Sequence, residues 1–151
     1  MIKQPNGITN VKKTLTTLLA ALPLCVFAQQ SVIEQRQSAF NDIDSLAKQT
    51  EKALSKSDIN WPLITDNSES LKSHSHALLS LFPQGSQENS KAKASVWSSP
   101  DKFQRLLKQM DDSFQTLYQA SLAQDYSSAE IGLERAQDTC GSCHRSYRSR
   151  W

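Results

Sequence analysis

The feature that most restricts what this chain can fold into is the sequence Cys140-Gly141-Ser142-Cys143-His144, close to its end. Two thiols separated by two residues and followed directly by a histidine form the pattern of covalent c-type haem attachment. On a helix the three side chains fall on one face, because residues three and four apart are neighbours there. The pattern therefore predicts a haem held by two thioether bonds, with His144 able to donate a ring nitrogen to the iron.

Two other uses of paired cysteines are disfavoured. A thioredoxin-type redox site follows a strand in a βαβ unit, whereas the residues around this motif have a helical pattern. A structural zinc site requires four ligands, and no second Cys/His pair stands at a suitable spacing. The motif is therefore interpreted as a haem attachment site.

The first residues have the pattern of a cleaved export signal. Three lysines form a positive segment, and an apolar stretch over residues 15–27 follows. That stretch is too short to span a bilayer as a helix, which disfavours an uncleaved membrane anchor. A small-x-small sequence ends at Ala28, so we predict a signal peptide over residues 1–28 and a mature haem domain over residues 29–151.

Cleavage would change the charge and the cysteine count. It removes three lysines and no acidic residue, so 17 basic residues become 14 against 15 acidic ones, a net charge of −1. No basic patch then favours nucleic-acid binding. Cys25 is removed as well, which leaves only the two cysteines of the haem motif and no pair for a disulfide.

Four segments carry apolar residues at helical spacing, at about residues 31–54, 62–81, 100–121 and 127–147. Ser127 and Glu130 form a capping-box pattern that predicts the start of the last segment. Residues 87–98 are predicted as the longest loop, with a turn of helix near Trp97. Two short connections and one long one predict an all-α, antiparallel four-helix bundle. The haem cysteines follow the apolar rhythm of the last helix, which predicts a haem inserted into the bundle.

The residue on the second axial side of the iron decides the class of haem protein. A methionine or histidine there makes a low-spin electron carrier, whereas an apolar residue leaves a five-coordinate, high-spin iron open to small gases. Met110 and His74 are the candidate ligands; Met110 falls on the apolar seam of the third segment and His74 at the edge of the second. Phe40 is the preferred candidate for an apolar distal residue.

Several short sequences, in order along the mature chain, resemble the cytochrome c′ family, the class II cytochromes c. The sequences that carry the resemblance are Arg36-Gln37-Ser38-Ala39-Phe40, Phe82-Pro83-x-Gly85-Ser86, Lys91-Ala92-Lys93 before Trp97, Ser99-Pro100-x-x-Phe103 and Cys140-x-x-Cys143-His144-x-x-Tyr147-Arg148. The resemblance implies a periplasmic four-helix bundle, often a homodimer packed through its first helices, with one covalent haem c. On this sequence it makes Cys140 and Cys143 the attachment sites and His144 the axial iron ligand.

The resemblance also implies further site residues. Arg36 and Gln37 match positions that contact the haem and its propionates, and Ser90 matches a loop position that reaches the haem. Arg148 matches a basic residue beside the proximal face. Phe40 stands where low-spin members carry methionine and gas-binding members carry a bulky apolar residue. Asn89 departs from the family, since a glycine is common at that position of the loop.

The expected function is that of a periplasmic c-type cytochrome with a five-coordinate, high-spin haem that transfers electrons and binds NO and CO. Its electron partner would be another periplasmic protein. The alternative is a low-spin, six-coordinate electron carrier with Met110 or His74 as the sixth ligand. A haem enzyme of the peroxidase type is disfavoured, because it needs a distal acid–base pair and Arg36 is assigned to a propionate.

Overall fold

The computed structural model describes the backbone of residues 23–150 and the side chains of residues 31–150. Five helices follow one another: α1 (Pro23–Leu54), α2 (Trp61–Leu78), the short α3 (Ser95–Ser98), α4 (Pro100–Ala123) and α5 (Tyr126–Tyr147). Most of the predicted signal peptide lies outside the described residues, so its cleavage after Ala28 stays a prediction. No helix in the described part of the chain is both long enough and apolar enough to cross a membrane.

The four long helices form the predicted antiparallel bundle. Helix α4 packs along both α2 and α5, and α1 packs along α2, whereas α1 and α5 meet over a shorter stretch. The core between them consists of aliphatic and aromatic side chains with almost no exposed surface, including Ile64, Leu71, Leu78, Leu107, Phe114, Leu117, Leu133 and Ala136. Within each helix these residues are three or seven positions apart, which places them on one face, so the bundle buries the apolar faces predicted from the sequence.

The helix starts follow from local capping. Asn60 precedes α2 and accepts a hydrogen bond from the backbone nitrogen of Leu63 at 3.1 Å, with Pro62 in the first turn. Pro100 opens α4 directly after Ser99, as predicted, although the Ser99 side chain makes no capping bond. Proline fits a first turn because the amide that it lacks has no partner inside the helix.

The capping box predicted at Ser127 is wrong. The N-cap of α5 is Asp125, whose carboxylate accepts from the backbone nitrogen of Ser128 at 3.2 Å and from its hydroxyl at 2.6 Å. Gln124 ends α4 in a left-handed conformation, with φ 53°, and Asp125 is extended. The chain therefore reverses within two residues, and Ser127 already lies inside the first turn of α5.

The predicted long loop connects α2 to α4 and contains the single turn α3 around Trp97. Gly85 and Asn89 both have positive φ, at 82° and 59°. Asparagine is among the few non-glycine residues that adopt this conformation readily, so Asn89 can stand at the position where the resemblance led us to expect a glycine. The loop ends as a short extended segment paired with the chain after α5, where the nitrogen of Lys93 donates to the carbonyl of Tyr147 at 2.8 Å.

Candidate haem site

The three motif side chains lie on one face of the last two turns of α5. Cys140 is exposed, Cys143 is half-buried and His144 is exposed, and neither cysteine is in a disulfide. The prediction that both cysteines continue the buried seam is thus only partly right. Thr139, next to Cys140, is the buried residue of that turn, at 2% exposure.

Two interactions set the register between α5 and α1. The Gln137 amide donates to the Glu51 carboxylate at 3.2 Å. Two helical turns before Glu51, Asp44 acts electrostatically on both Cys140 and His144. Because the two helices are antiparallel, Phe40, one turn before Asp44, is placed level with the end of α5 that carries His144. Phe40 therefore lies at the same end of the bundle as the motif.

Partial burial shifts the pKa values of all three motif side chains. Desolvation raises the pKa of both thiols, and the pKa of Cys143 reaches about 11, with a smaller contribution from Cys140. Desolvation and then the Arg148 charge lower the pKa of His144. The neutral imidazole is the form that binds a metal ion, so these surroundings favour the ligand form of His144.

The donor set fits a c-type haem. Two unpaired thiols one helical turn apart match the two thioether bonds, and the following histidine lies on the same face with its neutral form favoured. Phe40, at the same end of the bundle, is 36% exposed, and its ring centroid lies 6.4 Å from that of Phe82. Cys140 and Cys143 would hold the porphyrin, and His144 would supply the iron ligand.

Arg36 lies on α1 one turn before Phe40 and is buried, at 4% exposure. Its Nη2 donates to the carbonyl oxygen of Ser86 at 3.0 Å, and its Nη1 donates to the carbonyl oxygen of Leu81 at 3.3 Å and to the hydroxyl of Ser86 at 3.4 Å. Its Cζ stands 4.5 Å from the centroid of the Phe82 ring. Sequence reasoning assigned Arg36 to a propionate and missed these loop partners, which lie 45–50 residues away.

The other predicted site residues lie around the same end of the bundle. Gln37 is exposed on α1 beside Arg36. The Ser90 hydroxyl donates to the carbonyl of Gln87 at 2.7 Å and accepts from the backbone nitrogen of Ala92 at 3.3 Å, so it shapes its own loop turn. Arg148 is exposed and pairs through its backbone with Ala92. A surface groove brings His144 and basic side chains together: its lining consists of Lys91, Lys93, His144, Arg145, Arg148, Ser149 and Arg150.

The two candidate sixth ligands occupy different environments. Met110 is buried in the bundle core on α4, at 4% exposure. His74 is partly exposed on α2, and its Nε2 lies 4.0 Å from a carboxylate oxygen of Asp42 on α1. His76, also on α2, is exposed, and its Nδ1 lies 3.4 Å from a carboxylate oxygen of Asp111 on α4.

The fold and the site together define a c-type cytochrome built on an antiparallel four-helix bundle, with the attachment motif in its last helix. The sequence model of the family described as Cytochrome C′ matches residues 31–148, and the chain belongs to that family. Its cofactor is accordingly one covalently attached haem c. The match covers every helix of the bundle, so it agrees with the resemblance drawn from the short motifs.

Similar proteins support this placement. The structure resembles cytochrome c′ from Thermochromatium tepidum, with a TM-score of 0.73 at 15% identity over 80% of this chain and 96% of that one. A ferrous variant of cytochrome c′ from Alcaligenes xylosoxidans gives 0.74 at 23% identity over 81% and 97%. Cytochrome c-554 of Cereibacter sphaeroides is 32% identical over 74 residues, 46% of this chain and 55% of that protein. The chain thus matches about half the length of this curated relative.

Proposed function

We propose that this chain is a periplasmic cytochrome with a five-coordinate, high-spin haem that carries electrons and binds NO and CO, without turning over a substrate. The observation that carries the proposal is Phe40. It lies on α1 at the same end of the bundle as the motif, and residues 31–54 of that helix contain no methionine or histidine. The bound haem supplies a one-electron iron couple and, where one axial position stays open, a site for a small gas.

In this proposal each side chain has a separate task. Cys140 and Cys143 retain the haem, and His144 is the single protein ligand to the iron. Phe40 covers the opposite face with an apolar ring, which excludes water and offers no hydrogen bond to a polar bound molecule such as O₂. A gas that binds without such a hydrogen bond, as NO and CO do, is then favoured. A nitric oxide complex of an Alcaligenes xylosoxidans cytochrome c′ variant, 22% identical to this chain, agrees with that preference.

The other predicted site residues are proposed to contact the haem propionates or to act from the protein surface. Three N–H groups of Arg36 point to the loop, and a guanidinium has five, so its remaining donors can serve a propionate. Gln37, on the exposed side of α1, and Ser90, in the loop, are proposed as further haem contacts. Arg148 is proposed to act on His144 through its charge, which already lowers the pKa of that histidine.

We also propose export to the periplasm and assembly as a homodimer through α1. The predicted signal sequence over residues 1–28 supports export. A solved cytochrome c′ that shows ligand-controlled dimer dissociation shares this fold, with a TM-score of 0.73 at 14% identity, which supports the dimer. The electron partner is proposed only as another protein of the periplasm.

The alternative of a low-spin carrier has less support in the structure. Met110 is packed among the core residues of the bundle, at 4% exposure. His74 is directed to Asp42 at 4.0 Å. Both side chains thus have other neighbours, and we keep Phe40 as the proposed distal side chain.

The optical spectrum of the matured protein tests the proposal. We expect a high-spin ferrous spectrum without sharp α and β bands that changes readily when CO or NO is added. Phe40→Met should convert the spectrum to a low-spin form that resists CO, because a flexible thioether then stands on the distal side. Phe40→Leu is the matched control and should stay high-spin. A sharp low-spin spectrum in the unmodified protein would refute the proposal.

A further inference from the structure

Arg36 is the one arginine among residues 31–150 that is buried. All three of its hydrogen bonds go to neutral oxygens of the segment Leu81–Ser86, which is the first part of the loop after α2. Ser86 is fully buried and donates its hydroxyl to the carbonyl of Pro83 at 2.8 Å. Arg36 therefore fastens this loop segment to α1 at a point one turn before Phe40.

Within that segment, Phe82 is held on three sides. The Arg36 guanidinium lies against its ring at 4.5 Å, the Phe103 ring meets it edge-on at 4.7 Å, and the Trp97 ring lies 6.5 Å away. The Trp97 indole nitrogen also donates to the carbonyl oxygens of Phe82 and Pro83, at 3.2 and 2.8 Å. A cation placed near an aromatic ring and partly desolvated is among the stronger contacts of this kind.

The fourth side of Phe82 faces Phe40. Their ring centroids are 6.4 Å apart at an interplanar angle of 64°, an edge-on contact. Phe40 is otherwise much more exposed than the rings behind it, at 36% against 4% for Phe103. The Phe82 ring, which packs against Phe40, thus limits how far the Phe40 side chain can rotate away.

We propose that Arg36 is a positioning residue that clamps Phe82 against Phe40 and thereby slows the entry of small gases at the distal face. This inference rests on the proposed function, in which Phe40 covers the open side of the iron. It differs from a propionate contact, because the clamp acts through the loop and the aromatic ring rather than through the haem carboxylates. A propionate bond and the clamp use different N–H groups of the same guanidinium.

The test is a double-mutant cycle on the matured holoprotein, read as the rate of CO association after flash photolysis. Arg36→Lys keeps the charge but cannot form the planar set of bonds, and should speed association on the order of tenfold, the factor that corresponds to about 1.4 kcal/mol. Phe40→Ala should speed it as well. In the Phe40→Ala background, Arg36→Lys should have no further effect. Arg105→Lys, the same change at an exposed arginine of α4, is the control.

A second readout does not depend on ligand binding. Hydrogen–deuterium exchange of the ferric holoprotein over residues 79–99 should rise in Arg36→Lys and stay unchanged in Arg105→Lys. Phe82→Leu removes the ring but leaves the arginine, and should speed CO association to a similar degree. Ser86→Ala removes the longest of the three Arg36 bonds, together with the bond from the Ser86 hydroxyl to the carbonyl of Pro83, but keeps the two carbonyl contacts of the guanidinium, so a smaller effect is expected. If Arg36→Lys does not yield holoprotein, Phe82→Leu and Ser86→Ala test the proposal in its place.

The outcomes separate this inference from the proposed function. Faster association that disappears in the Phe40→Ala background, together with faster exchange of the loop, supports the clamp. Normal CO binding with unchanged rates in Arg36→Lys and Phe82→Leu, or effects that add to that of Phe40→Ala, would overturn the clamp alone. An unmodified protein that does not bind CO would overturn both.

Discussion

The packing of α5 against α4 gives the sharpest prediction about stability. At Gly132 the two helices approach so closely that an added Cβ would stand 2.8 Å from the backbone nitrogen of Leu117 and 3.1 Å from its Cα. It would also lie 3.1 Å from the carbonyl oxygen of Ser113. These are backbone atoms of α4, so no side-chain rotation can relieve the contact, and Gly132→Ala must push the helices apart.

Two effects of Gly132→Ala oppose each other. Alanine favours a helix interior over glycine by about 1 kcal/mol, whereas forcing an extra methyl group into a packed interface costs about 1–3 kcal/mol. Because all three contacts are rigid, the upper part of that range applies, and a net loss of about 1–2 kcal/mol is expected. For a chain of this size the loss corresponds to a fall in the melting temperature of roughly 3–8 °C.

Gly141→Ala in the same helix is the matched control. Its Cβ would meet only the Nη1 atom of Arg145, at 3.2 Å, which is the far end of an exposed and flexible side chain. The gain in helix propensity should therefore prevail and leave the protein as stable as before or slightly more stable. Calorimetry of the holoproteins measures both changes. A Gly132→Ala protein at least as stable as the unmodified one would show that the helices are not in close contact there.

Two further predictions concern the iron ligand and the start of α5. His144→Ala should leave the haem attached through its two cysteines but change its optical spectrum, and an unchanged spectrum would assign the axial ligand elsewhere. Asp125→Ala should lower the melting temperature, whereas Ser127→Ala should not, since only Asp125 caps the helix. Hydrogen bonds from Ser128 lower the pKa of Asp125, so its contribution should be present above the usual carboxyl pKa and be lost as pH falls through the lowered value. A cap effect at Ser127, or one that persists in strong acid, would contradict this assignment.

The parts of the site that the sequence could predict are those encoded in contiguous residues. Cys140, Cys143 and His144 are recognised by their spacing alone, and the helix that places them on one face follows from local periodicity. The N-cap of α5 could not be predicted from the local sequence alone. Asp125 and Ser127 are both good N-cap residues, and the selection between them depends on where α4 ends, which is set at the left-handed Gln124.

Contacts between distant segments account for what the sequence could not show. A glycine inside a helix does not contribute to the apolar periodicity, so the sequence does not reveal that α5 approaches α4 closely at Gly132. The structure shows it because it gives the position of α4. In the sequence, Arg36 is a charged residue next to an apolar stripe, and a haem propionate is the simplest partner to assign to it. Its observed partners, Leu81 and Ser86, are separated from it by 45–50 residues and contribute mainly backbone oxygens, which no sequence motif identifies.

The loop between α2 and α4 contacts both helices that flank the proposed haem site, α1 and α5. Its first part holds Arg36 and supports Phe40 through Phe82, on the side of α1. Its segment before α3 pairs through Ala92 with Arg148, just beyond α5. Lys93 also donates from its ammonium group to the carbonyl oxygens of Arg145 and Ser146 in the last turn of α5, at 3.1 and 3.3 Å.

The first attachment is made to α1 and the second to the end of α5, and in the proposed site two thioether bonds hold the haem to α5 alone. A change that loosens only the first part of the loop should therefore alter gas entry without releasing the haem. A change at the paired end should act on His144 and leave Phe40 in place. The separation follows from the packing itself, because α4 holds α5 through the close contact at Gly132 while α1 meets α5 only briefly.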